Sequence, residues 1–415
     1  MIKVTAKFNL LILICLLLIP SVLHGSNSFS FHGNVEWDLR INKVRDTVLN
    51  VEEMGLGELD DCLWCFVNPE ITASDKFGFY ARVRLQKPFI QNTSASLYVD
   101  QAYFNYDINP QISLLAGKKR LPWGYSYLWS PSLILNPQRY VFEPERYLEG
   151  IPLFVLGYSG TVTSPKLFGA VRTPQQKEEL KLENSYLGFQ IDRYFSGLEL
   201  FLNGLTGYKK EAAIGLGIRK DVLGFIVHIE GSVVKNSQRR YFHDPSTLDE
   251  GDEIYYIKDR NWCTVLTTGF NRMLSENSLL IFEYFYDRLG FQGREFNNFV
   301  NSLNYFKDKS AQASDEYYTQ SFSEVLGAYT PGSIRQNYAY LAYSHRLKKD
   351  WNFGLRSLTS LDDGSGFIYP FISFSAITNC LIEIEGCVPF YTEPNSEFGL
   401  LPLKWSTIMK IKIFF

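Results

Sequence analysis

No run of eighteen apolar residues occurs after the first twenty positions of this 415-residue chain, and mean hydropathy is −0.11, so a membrane protein built from several spanning helices is excluded. Methionine is scarce, at four residues, and charged side chains make up only 20%. Basic residues do not outnumber acidic ones: the net charge of −3 lacks the positive footprint of a nucleic-acid binder, and no nucleic acid is expected as a partner. Histidine is limited to five positions, His24, His32, His228, His243 and His345, and no Ser-His pair with a polar orienter can be read from their spacing. No catalytic residue, metal site or cofactor is therefore expected. Cysteine is no framework either. Setting aside Cys15, the five others, Cys62, Cys65, Cys263, Cys380 and Cys387, cannot all pair within one chain. Cys62-Leu63-Trp64-Cys65 has the C-x-x-C form, yet in a strand residues three apart point to opposite faces, so the sulfurs should diverge.

What is abundant is aromatic: 32 Phe, 26 Tyr and 7 Trp, side chains that favour strands and membrane interfaces. The N-terminus carries Lys3 and Lys7, an apolar stretch from Leu10 to Pro20, and the small residues Gly25 and Ser26, the plan of a secretory signal peptide. The expected organisation is a signal peptide over 1–25 and a single domain over 26–415.

Period-two alternation dominates that domain. Phe77, Phe79, Ala81, Val83 and Leu85 alternate with Arg82, Arg84 and Gln86; Ile382, Ile384, Gly386 and Val388 alternate with Glu383 and Glu385. The pattern predicts eighteen strands, with sixteen as the alternative: 29–40, 63–73, 77–86, 97–106, 112–118, 152–160, 166–173, 185–193, 198–204, 211–219, 223–233, 262–270, 278–288, 336–346, 351–360, 367–376, 380–390 and 404–415. No clear amphipathic helix intervenes, so 289–335 reads as a long loop. Connections after even-numbered strands are all short, whereas those after odd-numbered strands include 41–62, 119–151, 234–261 and 289–335. A rim of short turns and a rim of long loops is the signature of an all-β, transmembrane, antiparallel up-and-down barrel.

The last segment sharpens the reading. Trp405, Met409, Ile411, Ile413 and Phe415 alternate with Lys404, Ser406, Lys410 and Lys412. This resembles the terminal strand of bacterial outer-membrane proteins, which implies the barrel-assembly machinery as a partner through Phe415. Gln101-Ala102-Tyr103-Phe104 and Ala116-Gly117-Lys118-Lys119-Arg120-Leu121-Pro122-Trp123-Gly124 resemble a strand pair of porin-like families, including alginate-export-type barrels. Leu361-Asp362-Asp363-Gly364-Ser365-Gly366 with Ser396-Glu397-Phe398-Gly399 is similar to their final hairpins. The resemblance implies a bacterial outer-membrane location among lipid and lipopolysaccharide, and passive diffusion of small hydrophilic solutes. A non-conducting structural, assembly or surface-binding barrel, and a polysaccharide exporter, are the competing readings.

Candidate pore-lining or constriction residues follow from parity and from the long 118–149 region: Arg82, Arg84, Lys118, Lys119, Arg120, Arg139, Glu143, Glu145, Arg146 and Glu149. Further inward positions are Glu199, His228, Glu230, Glu283, Arg356, Glu383 and Glu385. Trp123, Tyr125, Tyr127, Trp129, Tyr140 and Phe142 interleave with the charges, and an inward-folded loop would offer them to sugar-like solutes as a sliding surface. The acidic stretch Asp244, Asp249, Glu250, Asp252 and Glu253 reads as a solvated loop, since it lacks the spacing of a calcium loop. Asp362-Asp363-Gly364 reads as a hairpin turn.

Overall fold

The computed structural model describes residues 28–49, 54, 56–90, 94–121, 124–131, 149–171, 185–207, 212–235, 239–249, 251–258, 262–312, 315–348, 350–375 and 378–415. The expected signal segment lies outside the described residues. So do Arg139, Glu143, Glu145, Arg146, Trp123, Tyr140, Phe142 and Glu250.

Eighteen antiparallel strands form one sheet. They are β1 (Ser28–Val44), β2 (Leu59–Ser74), β3 (Phe77–Lys87), β4 (Ser96–Asp107), β5 (Ile112–Lys119), β6 (Ile151–Tyr158), β7 (Thr163–Val171), β8 (Ser185–Phe195), β9 (Leu198–Gly207), β10 (Ala212–Val222), β11 (Phe225–Lys235), β14 (Cys263–Ser275), β15 (Ser278–Asp287), β16 (Asn337–Lys348), β17 (Trp351–Ser360), β18 (Gly366–Phe374), β19 (Cys380–Phe390) and β20 (Leu403–Phe414). The two remaining strands among the described residues, β12 (Arg240–Phe242) and β13 (Tyr255–Ile257), make a small hairpin inside the connection that follows β11. Each barrel strand pairs with its sequence neighbours, and β20 closes on β1 from Asn34↔Phe414 to Val44↔Leu403, which leaves no open edge. Gly33 and Phe415 exchange two backbone hydrogen bonds, 2.9 and 3.0 Å, and the ring of Phe415 lies 5.9 Å from that of Phe31.

The alternation read from the sequence is the alternation of the wall. Outward positions are apolar and uncovered, with Leu187 69% and Leu167 61% exposed. Inward positions carry the charges: Glu36 and Asp38 on β1, Arg82 and Arg84 on β3, Glu199 on β9, His228 and Glu230 on β11, Glu283 on β15, Arg356 on β17, Glu383 and Glu385 on β19, and Lys410 on β20. A water-soluble sheet would place these faces the other way, because burying apolar area is what drives folding in water. Cys62 pairs across from Asp38 and Cys65 from Val35, so the two sulfurs point to opposite faces, as expected.

One expectation is corrected. The 289–335 connection is not an irregular loop but holds two helices, α1 (Gly293–Gln312) and α2 (Glu316–Gly327). On α1, Phe296, Phe299, Val300, Leu303 and Phe306 form a buried stripe at helical spacing. The side chain of Asp315 caps α2 by accepting from Tyr317 N. Among the described residues no helix is long and apolar enough to cross a membrane.

These helices, the β12–β13 hairpin and residues 398–401 pack into an apolar cluster at the long-loop rim, which continues onto the inward aromatics Phe285, Tyr338, Tyr340, Phe367 and Tyr369. The long loops thus form a folded cap over the β14–β20 side of the barrel. Asp244, part of the expected solvated acidic loop, caps a single turn of 3-10 helix at Pro245–Thr247. A second apolar cluster, built on Ile151, Leu153, Phe168, Tyr186 and Leu205, lies on the inward positions of β6 to β9.

Candidate functional site

Two inward carboxylates organise the lumen. Glu230 pairs across from Gly217 and Thr267, and Glu283 from Gly269 and Tyr340; the bare face of Gly217 is filled by the Phe201 ring, and that of Gly269 makes room for Glu283. A Cβ on Gly269 would meet Phe282 O at 2.3 Å and His228 Cε1 at 3.0 Å. His228 Nε2 lies 3.2 Å from Glu283 Oε1, and neither glutamate is exposed. Buried carboxylates are costly unless they are hydrogen-bonded.

Their partners are backbone amides of the connection between β5 and β6. Tyr125 N and Ser126 N donate to Glu230 Oε2 at 2.9 and 3.4 Å, joined by Ser126 Oγ at 3.2 Å. Tyr127 N and Leu128 N donate to Glu283, the latter at 2.9 Å. Gly124 turns the chain into this clamp at φ +96°, and a Cβ there would stand 2.7 Å from both Glu230 oxygens. Pro131 O accepts from Ser232 Oγ at 2.8 Å. Side chains complete the seat: Tyr125 packs on Phe201 beneath the Arg219 guanidinium, Tyr127 stacks on Tyr340 and Trp129 on Phe285. Residues 124–131 therefore run along the inner wall from β9 to β16. Trp129 is only 6% exposed and its Nε1 donates to Gly332 O, so this ring serves as an anchor and not as the sliding surface expected of it.

The remaining candidates gather on β3 to β5. Arg84 is buried; its Nε donates to both oxygens of Asp100, at 3.1 and 3.2 Å, and its Nη2 reaches Glu149 at 3.4 Å. Arg82 is half-exposed, 4.0 Å from Asp100 and stacked over Phe66. Lys118 donates to Val99 O at 2.7 Å and to Glu149 at 3.2 Å, while Lys119 lies 4.2 Å from the centre of the Tyr103 ring. Arg120 N donates to Gln101 Oε1 at 3.3 Å. Asp100 was not foreseen: Arg82 pairs with Gln101 and Val83 with Val99, so Asp100 sits in a β-bulge that re-aims its side chain to the inner face. Three strands along the wall from β3, Lys410 of β20 joins Glu383 and Glu385 of β19, and Arg356 lies 3.9 Å from Glu385.

Two further polar groups depart from expectation. Ser278 Oγ lies 2.6 Å from His345 Nδ1 on the outward face, a Ser-His contact that spacing did not reveal. It lacks a carboxylate or amide orienter among the described residues, so it does not meet the requirements of a catalytic triad. Asp362 and Asp363 do more than turn a hairpin. Asp362 accepts from Gln336 N and Asn337 N, and Asp363 from Glu397 N.

Glu397 itself is fully buried in the cap, where Tyr338 Oη and Gly332 N donate to it. Burial pushes its carboxyl up to about 8, with Asp363 adding to the rise and the donors and Arg335 opposing it. A raised carboxyl favours the folded cap while it stays protonated, so this contribution is lost as pH rises through about 8. Amide exchange at Gly332, corrected for its intrinsic pH dependence, is expected to accelerate progressively as pH rises from about 4.5 to about 8 and to level off above that, and Glu397→Gln should remove the transition. A pH-independent protection factor in the unsubstituted protein would refute this.

The chain matches no protein-family profile and no curated protein. Its fold is shared by solved structures at low identity. Pseudomonas aeruginosa OccK5 (OpdH) is 8% identical with a TM-score of 0.56, the match covering 93% of this chain and 98% of that one. Pseudomonas aeruginosa OccK3 (OpdO) is 9% identical with a TM-score of 0.54, covering 93% and 96%. OccK2 (OpdF) of the same organism is 7% identical with a TM-score of 0.54, covering 94% and 97%. The chain thus has the porin-type fold, a closed antiparallel barrel of eighteen strands.

Proposed function

We propose that this protein is a bacterial outer-membrane channel through which small hydrophilic solutes diffuse passively. The observation that carries the reading is the loop clamped across a charged inner wall, inside a barrel whose outer wall is apolar and uncovered. In this orientation the short turns face the periplasm, the capped rim faces outward, and lipid and lipopolysaccharide surround the wall. Residues 1–25 act as the signal peptide. The strand ending at Phe415 engages the assembly machinery, and the motifs around Lys118 and Asp362 ally the chain with alginate-export-type barrels. The channel has no catalytic role in this reading. Its selectivity comes from Arg82, Arg84, Lys118, Lys119, Arg120 and Glu149, with Arg139, Glu143, Glu145 and Arg146 in the same connection.

Single-channel recording in a planar bilayer tests the proposal, and a purified, folded barrel that never conducts would support the non-conducting alternative. Replacing Lys118, Lys119 and Arg120 together with glutamine should shift the reversal potential toward cations, because three positive charges leave the wall and Glu149 loses its partner Lys118. The shift should shrink at high salt, where the screening length falls from about 8 Å at physiological ionic strength to about 3 Å at 1 M. An unchanged permeability ratio would remove these residues from the conduction path.

A further inference from the structure

Near the short-turn rim, four adjacent strands direct a row of charges inward: Lys166 on β7, Asp192 on β8, Glu199 on β9 and Arg219 on β10. Lys166 Nζ lies 2.8 Å from Asp192 Oδ2, and Arg219 Nη2 bonds Glu199 Oε2. These four side chains remain 36 to 41% exposed, whereas Arg84 and Asp100 are 6 and 7% exposed. Exposed ion pairs of this kind contribute little, so their charges can turn from each other to a solute at small cost. Gln190, 5% exposed, lies two residues along β8 from Asp192 and directly across from Lys166; its Nε2 donates to Asp192 Oδ1 and its Oε1 has no hydrogen-bond partner among the described residues. Around the wall the signs run positive, negative, negative, positive.

We propose that this row is a recognition site for small zwitterionic solutes, those carrying one ammonium and one carboxylate group. The proposal rests on the channel reading and names the solute class it favours. Neighbouring strands stand about 4.8 Å apart and Glu199 lies opposite Tyr194, two residues along β8 from Asp192, so the backbones of the two acids are roughly 8 Å apart, with Lys166 on the strand beyond Asp192 and Arg219 directly across from Glu199. An ammonium seated between Asp192 and Glu199 meets both carboxylates. The carboxylate of the same solute then reaches Lys166 or Arg219, one strand away on either side. A simple anion in this place meets the two acids, and a simple cation meets the two bases. Only a solute with both charges at that separation finds an opposite charge at each end.

The test is flux into liposomes containing the purified full-length barrel, with radiolabelled glycylglycine, its C-terminal amide, its N-acetyl derivative, and arabinose as the neutral reference. Relative to arabinose, glycylglycine should enter roughly two- to fivefold faster than either singly charged derivative, the scale that exposed ion pairs supply. In an Asp192→Asn, Glu199→Gln double variant, which keeps shape and hydrogen-bonding capacity, that preference should vanish while arabinose flux stays unchanged. Lys166→Gln with Arg219→Gln should abolish it as well. Equal rates for the three dipeptides, or a preference that survives both double variants, would overturn the site while leaving the channel intact. Absence of arabinose flux would overturn the channel reading and the site with it.

Discussion

Replacing Glu230 and Glu283 together with leucine is expected to release residues 124–131 from the barrel wall and to raise single-channel conductance. In the folded protein these two carboxylates accept four successive backbone amides, from Tyr125 to Leu128. A buried donor left without its acceptor costs about 1–3 kcal/mol, so holding all four amides in place after the substitution costs roughly 4–12 kcal/mol. What would still retain the segment is aromatic packing, Tyr125 on Phe201, Tyr127 on Tyr340 and Trp129 on Phe285, with the hydrogen bonds from Ser232 Oγ to Pro131 O and from Trp129 Nε1 to Gly332 O. Such aromatic pairs are worth about 0.5–1.5 kcal/mol each beyond their buried area and such hydrogen bonds about as much, together less than the cost of the stranded amides. The loop should therefore exchange its wall contacts for water. His228, which loses its neighbour Glu283, adds to the imbalance. Glutamine at both positions keeps an acceptor oxygen and should give a smaller change. Trypsin cleavage after Arg120 reports release independently of conduction. A double leucine variant with unchanged conductance and unchanged cleavage would show that the segment is held by other contacts.

The strands were legible in the sequence because each wall position faces one of two contrasting environments, and a period of two records that contrast directly. Ile382, Ile384 and Val388 against Glu383 and Glu385 leave no choice of face. Where both faces are apolar the record disappears: on β6, Leu153 and Val155 point inward while Phe154 and Leu156 point outward, and parity alone cannot separate them. The inward orientation of Glu230 and Glu283 was readable, but their role was not. Their partners lie more than a hundred residues away in the chain and are backbone amides, which carry no side-chain signature. The bulge at Asp100 escaped because one extra residue shifts the period without altering composition. Helix α1 did leave a trace, since Phe296, Phe299, Val300, Leu303 and Phe306 recur at helical spacing. Its asparagines and aromatics have modest helix propensity, so tertiary packing of that stripe decides the structure.

The second large effect concerns the outer wall. Ile384→Arg is expected to destabilise the barrel by about 2–4 kcal/mol in a bilayer, the cost of an arginine on the lipid face near the midplane. Ile384 lies mid-strand on β19, 45% exposed and opposite Ile372 and Met409, so its side chain leaves the barrel among apolar neighbours. One residue away on either side, Glu383 and Glu385 point inward to Lys410 and cannot reach across the sheet to neutralise the new charge. Arg82→Ala removes an arginine from the inner wall instead. There the guanidinium is half-exposed, 4.0 Å from Asp100 and stacked over Phe66, so the loss should stay near the ~0.5–1 kcal/mol of an exposed cation–π contact. Urea unfolding in lipid vesicles, followed by the gel-mobility difference between folded and unfolded barrel, measures both. Equal destabilisation at Ile384 and Arg82 would reverse the assignment of faces. Because a one-residue change of register turns every side chain to the other face, that result would remove the clamp, the charged lumen and the solute site together.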